Sequence, residues 1–355
     1  MNVRIYFKYV LCKLHASMKP LINALLKLFS PFNVITAGLG ALFICYILHV
    51  YGNLHLRYVL CKPDYWSVDL DNGFEGFDNV SGLLHGPYIV PNYVHYIRYG
   101  RPLKEVNFMD AVNILAAFKN QKPDKIMFHT DQEPFTGPYW ERLLKIPKFN
   151  ETIEYHFIQP MQSIFGQPLS SWNGRWHASD VLRIQILRRF GGIFMDNDVY
   201  LVQSMDRFRR FETALESIDE LDIGTMTLVA HKDSRFMRLW LDEYRDYVPH
   251  LWYYNAGTKP KINLINNRPE LVHDARGFFG VEDLRVELYV QNWKKWKSKY
   301  TIHTLVRHTH DLPALIKNKL GLKYPMTFNP HNILQYNVTI QEMVLDCCKE
   351  LVYLN

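Results

Sequence analysis

Cysteine is scarce: only Cys12, Cys45, Cys61, Cys347 and Cys348 occur in 355 residues. Carboxylates are missing altogether before Asp64, although Arg4, Lys8, Lys13, Lys19 and Lys27 lie in that stretch. Several reaction signatures are also absent. There is no Gly-rich phosphate loop, His-Glu-x-x-His, Cys-x-x-Cys or Gly-x-Ser-x-Gly, which excludes the common forms of P-loop, zinc-protease, dithiol and serine-hydrolase chemistry. The formal charge of +6 is not gathered into basic clusters interleaved with aromatics, so no nucleic-acid surface is expected. No internal repeat or low-complexity tract is present. Hydrophobic residues make up 48% and aromatics 14% of the chain, enough for a sizeable core.

The run Phe32 to Tyr51 has no Asp, Glu, Lys or Arg. At about 1.5 Å per residue it spans roughly 30 Å, the thickness of a bilayer core. Basic residues before it outnumber Arg57 and Lys62 after it, which keeps the N-terminus in the cytosol. The expected order is a cytoplasmic tail at 1–31, a transmembrane signal anchor at 32–51, a stem at 52–86 and a lumenal domain at 87–355. A cleaved signal peptide and a buried core helix are the competing readings of the apolar run. Tyr9 to Leu28 is apolar but interrupted by lysines and Pro20, as in a membrane-surface helix. Sequons at Asn79, Asn150 and Asn337 fall on the lumenal side and imply a glycoprotein. Cys61, Cys347 and Cys348 are an odd number there, so one internal bridge at most can form, and a free or intermolecular thiol is the alternative.

Within the domain, apolar patterning predicts strands over 88–99, 125–129 and 153–158 and helices over 105–119, 139–144 and 236–247. This alternation predicts an α/β fold with a parallel sheet covered by helices on both faces.

The densest signal runs from His177 to Val202. Ser179 reads as an N-cap, and Leu182, Ile186, Leu187 and Phe190 form a helical stripe. Gly191-Gly192 stops the helix. Ile193-Phe194-Met195 then form a short strand, and Asp196-Asn197-Asp198 follow at its carboxyl end, where open α/β sheets bind ligands. Asp180 and Arg183 lie one turn apart on one helix face. A second Asp-x-Asp, Asp69-Leu70-Asp71, has no such helix or strand before it and reads as solvated stem charge.

Residues Ala178, Asp180, Arg183, Leu187, Gly191, Gly192, Phe194, Asp196 and Asp198 resemble the block shared by DxD-type glycosyltransferases, above all the sugar-binding group of glycosyltransferase family 32, which includes α-1,4-galactosyl- and N-acetylglucosaminyltransferases and Golgi mannosyltransferases. Phe194 stands where that block more often has Tyr. The stretch from Val94 to Gly100 resembles the family's first strand. The resemblance implies a GT-A (Rossmann-like) fold and a divalent cation, Mn²⁺ or Mg²⁺. Asp198 is its direct ligand, with Asp196 contacting metal and ribose as the other catalytic carboxylate. Asp180, Arg183 and Asn197 bind the donor, and a C-terminal histidine completes the metal site. His303, His308 and His310 are the candidates, with His303 fitting best. Aromatics at Trp252, Tyr253 and Tyr254 are either core or acceptor contacts. The implied activity is metal-dependent, retaining transfer of a hexose or N-acetylhexosamine from a UDP-sugar to a glycan or glycolipid hydroxyl at the Golgi membrane. The alternatives are a GDP-mannose-dependent mannosyltransferase and a silent lectin-like protein of the same fold.

Overall fold

The computed structural model describes residue 74 and residues 76–83, 86–99, 104–131, 135–169, 173–311 and 327–353. All belong to the larger of two compact units, Tyr65–Asn355. The 32–51 run, Asp69-Leu70-Asp71 and Cys61 lie outside the described residues. Among those described, no helix is long and apolar enough to cross a membrane.

In chain order the elements are β1 (Tyr93–Arg98), α1 (Phe108–Gln121), β2 (Lys125–Thr130), α2 (Pro138–Leu144), α3 (Phe149–Thr152), β3 (Ile153–Phe157), β4 (Ser163–Ile164), β5 (Gln167–Pro168), α4 (Gly174–Phe190), β6 (Gly192–Met195) and β7 (Val199–Leu201). They continue with β8 (Thr213–Ser217), β9 (Ile223–Ala230), α5 (Arg235–Glu243), β10 (His273–Asp274), α6 (Arg285–Tyr289), β11 (Thr301–His303), α7 (Pro330–Ile333), α8 (Thr339–Cys347) and α9 (Lys349–Val352). A seven-stranded sheet has the order β10-β8-β9-β6-β1-β2-β3. The expected parallel sheet is thus mixed. β3, β2, β1 and β6 run parallel, but β9 lies antiparallel to both β6 and β8. The β8–β9 pair carries no helix between its strands, so the alternation rule does not reach it. β7 leaves this sheet and pairs antiparallel with β11.

Period-two alternation divides the core. Val94 and Tyr96 of β1 and Ile193 and Met195 of β6 face one cluster, shared with α1 and α7–α9. Ile97 and Phe194 face the other, shared with α4 and α5. Helices therefore cover both faces, as expected. α1 begins at Asn107, whose side chain accepts from Asp110 N at 2.9 Å, and ends at Lys122 in a left-handed conformation.

The junction of α4 and β6 is held by a buried histidine pair. His95 Nε2 donates to Gly191 O at 2.7 Å, leaving Nδ1 to accept from His129 Nε2 at 3.0 Å, a tautomer assigned from these partners. Burial pushes His95 down to about 4, and burial with His95 alongside takes His129 to about 2, so both stay neutral. Gly192 sits at φ +118°, and a Cβ there would come 2.7 Å from His95 Nε2 and 2.8 Å from Tyr93 O.

Three sequence expectations need correction. α4 starts at Asn173, not Ser179; Ser179 lies inside the helix. Residues assigned to the stem enter the domain: Phe74 is 2% exposed and belongs to the core. Asn79 is fully buried, so its sequon is no glycan acceptor in this fold. Its Oδ1 accepts from Glu212 N at 2.9 Å, and its Nδ2 donates to Glu212 Oε2 at 3.2 Å and Glu270 O at 2.8 Å. Asn150 and Asn337 are exposed.

Gly192→Ala is expected to cost about 2–4 kcal/mol, from the left-handed backbone plus the clash. Urea denaturation checks this. An unmoved midpoint would mean that the turn tolerates a side chain.

Candidate functional site

The Asp196-Asn197-Asp198 turn bridges the two sheets. Asp196 N donates to Met226 O at 2.9 Å, extending the β6–β9 ladder by one residue, and Val199 N closes the turn on Asp196 O at 3.0 Å. Asn197, expected to contact the donor, is instead a clamp. Its Nδ2 donates to Ile97 O at 2.7 Å, its Oδ1 receives Arg98 at 3.4 Å, and its carbonyl accepts from Asn113 Nδ2 at 2.9 Å. The backbone is thus tied to β1 and α1, while the carboxylates of Asp196 and Asp198 keep 30% and 20% of their surface open.

β11 selects among the candidate histidines. Its pairing with β7 sets His303 opposite Val199, one residue past Asp198. Thr304 N and Oγ1 both donate to Asp198 O, at 2.8 and 2.7 Å. His303 Nε2 stands 3.3 Å from Asp198 Oδ1. His308 is exposed, and nothing is described of the His310 side chain.

α4 brings Asp180 and Arg183 to the same place. Continuing the alternation of β6, Asp196 falls on the α4 side of the sheet, and Arg183 Nη2 lies 3.6 Å from Asp196 Oδ1 and 2.9 Å from Asp180 Oδ1. Nη1 donates to Thr225 O at 2.7 Å and Thr225 Oγ1 at 3.0 Å; Nε reaches Ser179 O at 3.4 Å. The guanidinium also lies 4.9 Å over the Phe194 ring. Each of its nitrogens is therefore directed at protein, so Arg183 positions the two carboxylates. Asp180 Oδ2, by contrast, makes no hydrogen bond among the described residues.

Sequence reasoning missed Thr225, which no motif marks. It also missed Arg98 and Asp110, a buried pair at 2.8 Å that Arg307 approaches at 3.6 Å.

Burial raises the carboxyls of Asp196 and Asp180, with Arg183 opposing in both cases. For Asp198 burial works the same way, but the hydrogen bond and charge of His303 outweigh it and hold the group at about 2. Burial likewise opposes charge on His303, yet Asp198 lifts it above its usual 6.5.

The carboxylate oxygen of Asp198 suits a hard divalent cation such as Mn²⁺ or Mg²⁺, and the imidazole nitrogen of His303, once deprotonated, favours Mn²⁺ of the two. Asp196 turns toward Arg183 instead. Among the described residues no three His, Cys, Asp or Glu side chains stand together as a metal-holding group. Two protein donors fit an ion that completes its shell with substrate phosphates and water.

The Asp198–His303 pair predicts a pH signature. His303, raised in the fold, contributes stability below pH 6.5 that is lost as pH rises through its folded value. Asp198, lowered in the fold, contributes stability above pH 3.8 that is lost as pH falls toward about 2. His303→Gln is therefore expected to destabilise the protein more at pH 5 than at pH 9 in urea titrations. An equal effect at both would show that the pair is not charged.

Residues 106–215 match the family described as "Glycosyltransferase sugar-binding region containing DXD motif". This region contains α4, the Gly-Gly turn and the carboxylate turn. "Glucan organizing enzyme 1" of Cryptococcus neoformans var. grubii serotype A is 24% identical over 280 residues, covering 72% of this chain and 70% of that protein. Among solved structures, PaToxG glycosyltransferase is 18% identical with a TM-score of 0.33, covering 51% of this chain and 70% of that one. Galactosyltransferase LgtC, in complex with donor and acceptor sugar analogs, is 10% identical with a TM-score of 0.35, covering 74% and 97%. With the DXD sugar-binding region laid over the carboxylate turn and its preceding helix, the chain is a glycosyltransferase.

Proposed function

We propose that this is a GT-A-type enzyme of the family 32 kind, moving a hexose or N-acetylhexosamine from a UDP-sugar to a glycan or glycolipid hydroxyl with retention, in a metal-dependent reaction. The observation that carries the reading is the convergence of three separate stretches. Asp198 meets His303 at 3.3 Å on one side of the turn, while Asp196 meets the Asp180–Arg183 pair on the other. Such a site offers one end to a diphosphate and the other to a sugar.

Asp198 and His303 would hold the cation. When bound, it supplies Lewis-acid neutralisation of the charge that grows on the departing diphosphate. The chain's own residues do the rest. Asp180, only 8% exposed, accepts from a donor-sugar hydroxyl through Oδ2, in an orientation fixed by Arg183. Asp196, held beside Arg183, faces the nucleotide side. Asn197 and Thr304 keep the turn from moving as charge redistributes, the preorganisation that electrostatic catalysis needs. The bond from C1 to the diphosphate oxygen breaks, the acceptor hydroxyl oxygen takes its place on the same face, and the hydroxyl proton passes to the departing diphosphate oxygen.

The setting belongs to the same proposal: a single-pass Golgi membrane protein with its catalytic domain in the lumen, suggested by the apolar 32–51 run. Protease treatment of sealed vesicles is expected to spare everything after residue 52. Digestion of the large domain from outside would overturn that topology.

The activity is tested with a panel of nucleotide sugars, scored by hydrolysis and thermal stabilisation with Mn²⁺ and with EDTA. Stabilisation by UDP-sugars that EDTA removes is expected; a response to GDP-mannose alone would move the donor assignment. The Cryptococcus relative's name makes glucan oligosaccharides sensible acceptors to include. Asp198→Ala is expected to lower turnover by a factor on the order of 10²–10³ or more while the domain stays folded. Unchanged turnover would remove Asp198 from the reaction.

A further inference from the structure

We propose that the indoles of Trp176 and Trp252 form a platform for the acceptor saccharide, holding the pyranose ring that receives the transferred sugar; this rests on the glycosyltransferase site described above. Trp140, Trp240 and Trp296 are at most 2% exposed, whereas Trp176 and Trp252 are 43% and 48% exposed. The two exposed indoles meet edge to face, with ring centroids 5.2 Å apart and planes at 76°.

The pair is built rather than incidental. His177 Nε2 donates to Trp252 O at 3.0 Å, and its Nδ1 accepts from Tyr247 OH at 2.5 Å. This fixes the backbone of one tryptophan to the helix that bears the other. The Arg175 guanidinium covers one face of the Trp176 ring, 4.5 Å from its centroid.

Position ties the pair to the carboxylate site. Trp176 is four residues before Asp180 on α4, so the two share a helix face with Cβ atoms about 5–6 Å apart, close to the width of one sugar ring. Trp252 precedes Tyr253, whose OH donates to Ile223 O at 2.6 Å, two residues from the Thr225 that receives Arg183. With Asp180 holding the donor sugar, the next side chain back along that face of α4 is Trp176. The axial C–H face of a pyranose is electropositive and suits the negative face of an indole, and Arg175 is placed to donate to its hydroxyls. A patch of two indoles beside a cation falls far short of the roughly 800 Å² per partner that a stable protein interface needs.

The test uses the full-length protein, Mn²⁺, the nucleotide sugar found active, and methyl α-mannoside, methyl β-galactoside, lactose and laminaritriose as acceptors. In Trp176→Ala and Trp252→Ala the KM for the accepted saccharide is expected to rise about tenfold, with the nucleotide-sugar KM in place. Trp252→Tyr is expected to recover most of the loss. The same saccharide is expected to quench tryptophan fluorescence, and Trp252→Ala to remove most of that quench. Acceptor KM unchanged in both alanine variants overturns the platform, as does a quench that survives in both. If the protein turns over no nucleotide sugar, the glycosyltransferase reading fails. The quench then decides the platform alone: a saccharide quench that depends on the two indoles supports it, and none overturns it.

Discussion

Arg183 is a buried cation whose nitrogens all point at protein acceptors, and the site is organised around it. It joins α4 to β9 through Thr225, stacks on Phe194 of β6, and stands between Asp180 and Asp196. Two carboxylates at partly buried positions repel one another and resist ionisation. The guanidinium between them is the countercharge that opposes the upward push of burial on both carboxyls. The planar fork suits this in a way that a lysine ammonium does not. Removing it would strand two carboxylates against an apolar wall, the costly way to break a buried ion pair.

The second organising feature is the departure of β7 from the main sheet. Asp196 ends one ladder, and Asp198 precedes the other. The two carboxylates therefore face different surroundings although one residue separates them: Asp196 answers to α4, Asp198 to β11 and His303. Their ionisation diverges accordingly, with burial raising Asp196 and His303 holding Asp198 down.

Local chemistry was legible in the sequence. The Leu182, Ile186 and Leu187 stripe, the Gly191-Gly192 stop, the short apolar strand and the carboxylate turn all rest on near-neighbour rules, and the structure has each of them. What depends on tertiary context was not legible. Ser179 looked like a cap because such residues usually are, but the Trp176, His177 and Trp252 contacts sustain an earlier turn of helix. Asn197 looked like a ligand because of its neighbours, yet β1 takes its amide. Arg183 looked like a substrate contact, and only the position of Thr225 shows where its donors go. Asn79 fits a three-residue modification signal, yet it pairs with a glutamate far along the chain. His303 could be picked from three histidines only by a loose likeness to the family, since the physical ground for the choice is a strand pairing between distant segments.

That pairing has a consequence for how the site comes into being. Asp198 and Thr304 are 106 residues apart in sequence, whereas β1, β2, β6 and β9 are all complete by Ala230. During synthesis the sheet and the carboxylate turn can therefore form while the histidine strand is still being made, because contacts of shorter separation close first. The order of the elements in the chain thus allows a stage in which Asp196 already has Arg183 beside it but Asp198 has no imidazole. Completion of the carboxylate turn's surroundings is in this sense timed by chain elongation, with the imidazole delivered only after Thr301 to His303 have docked along β7.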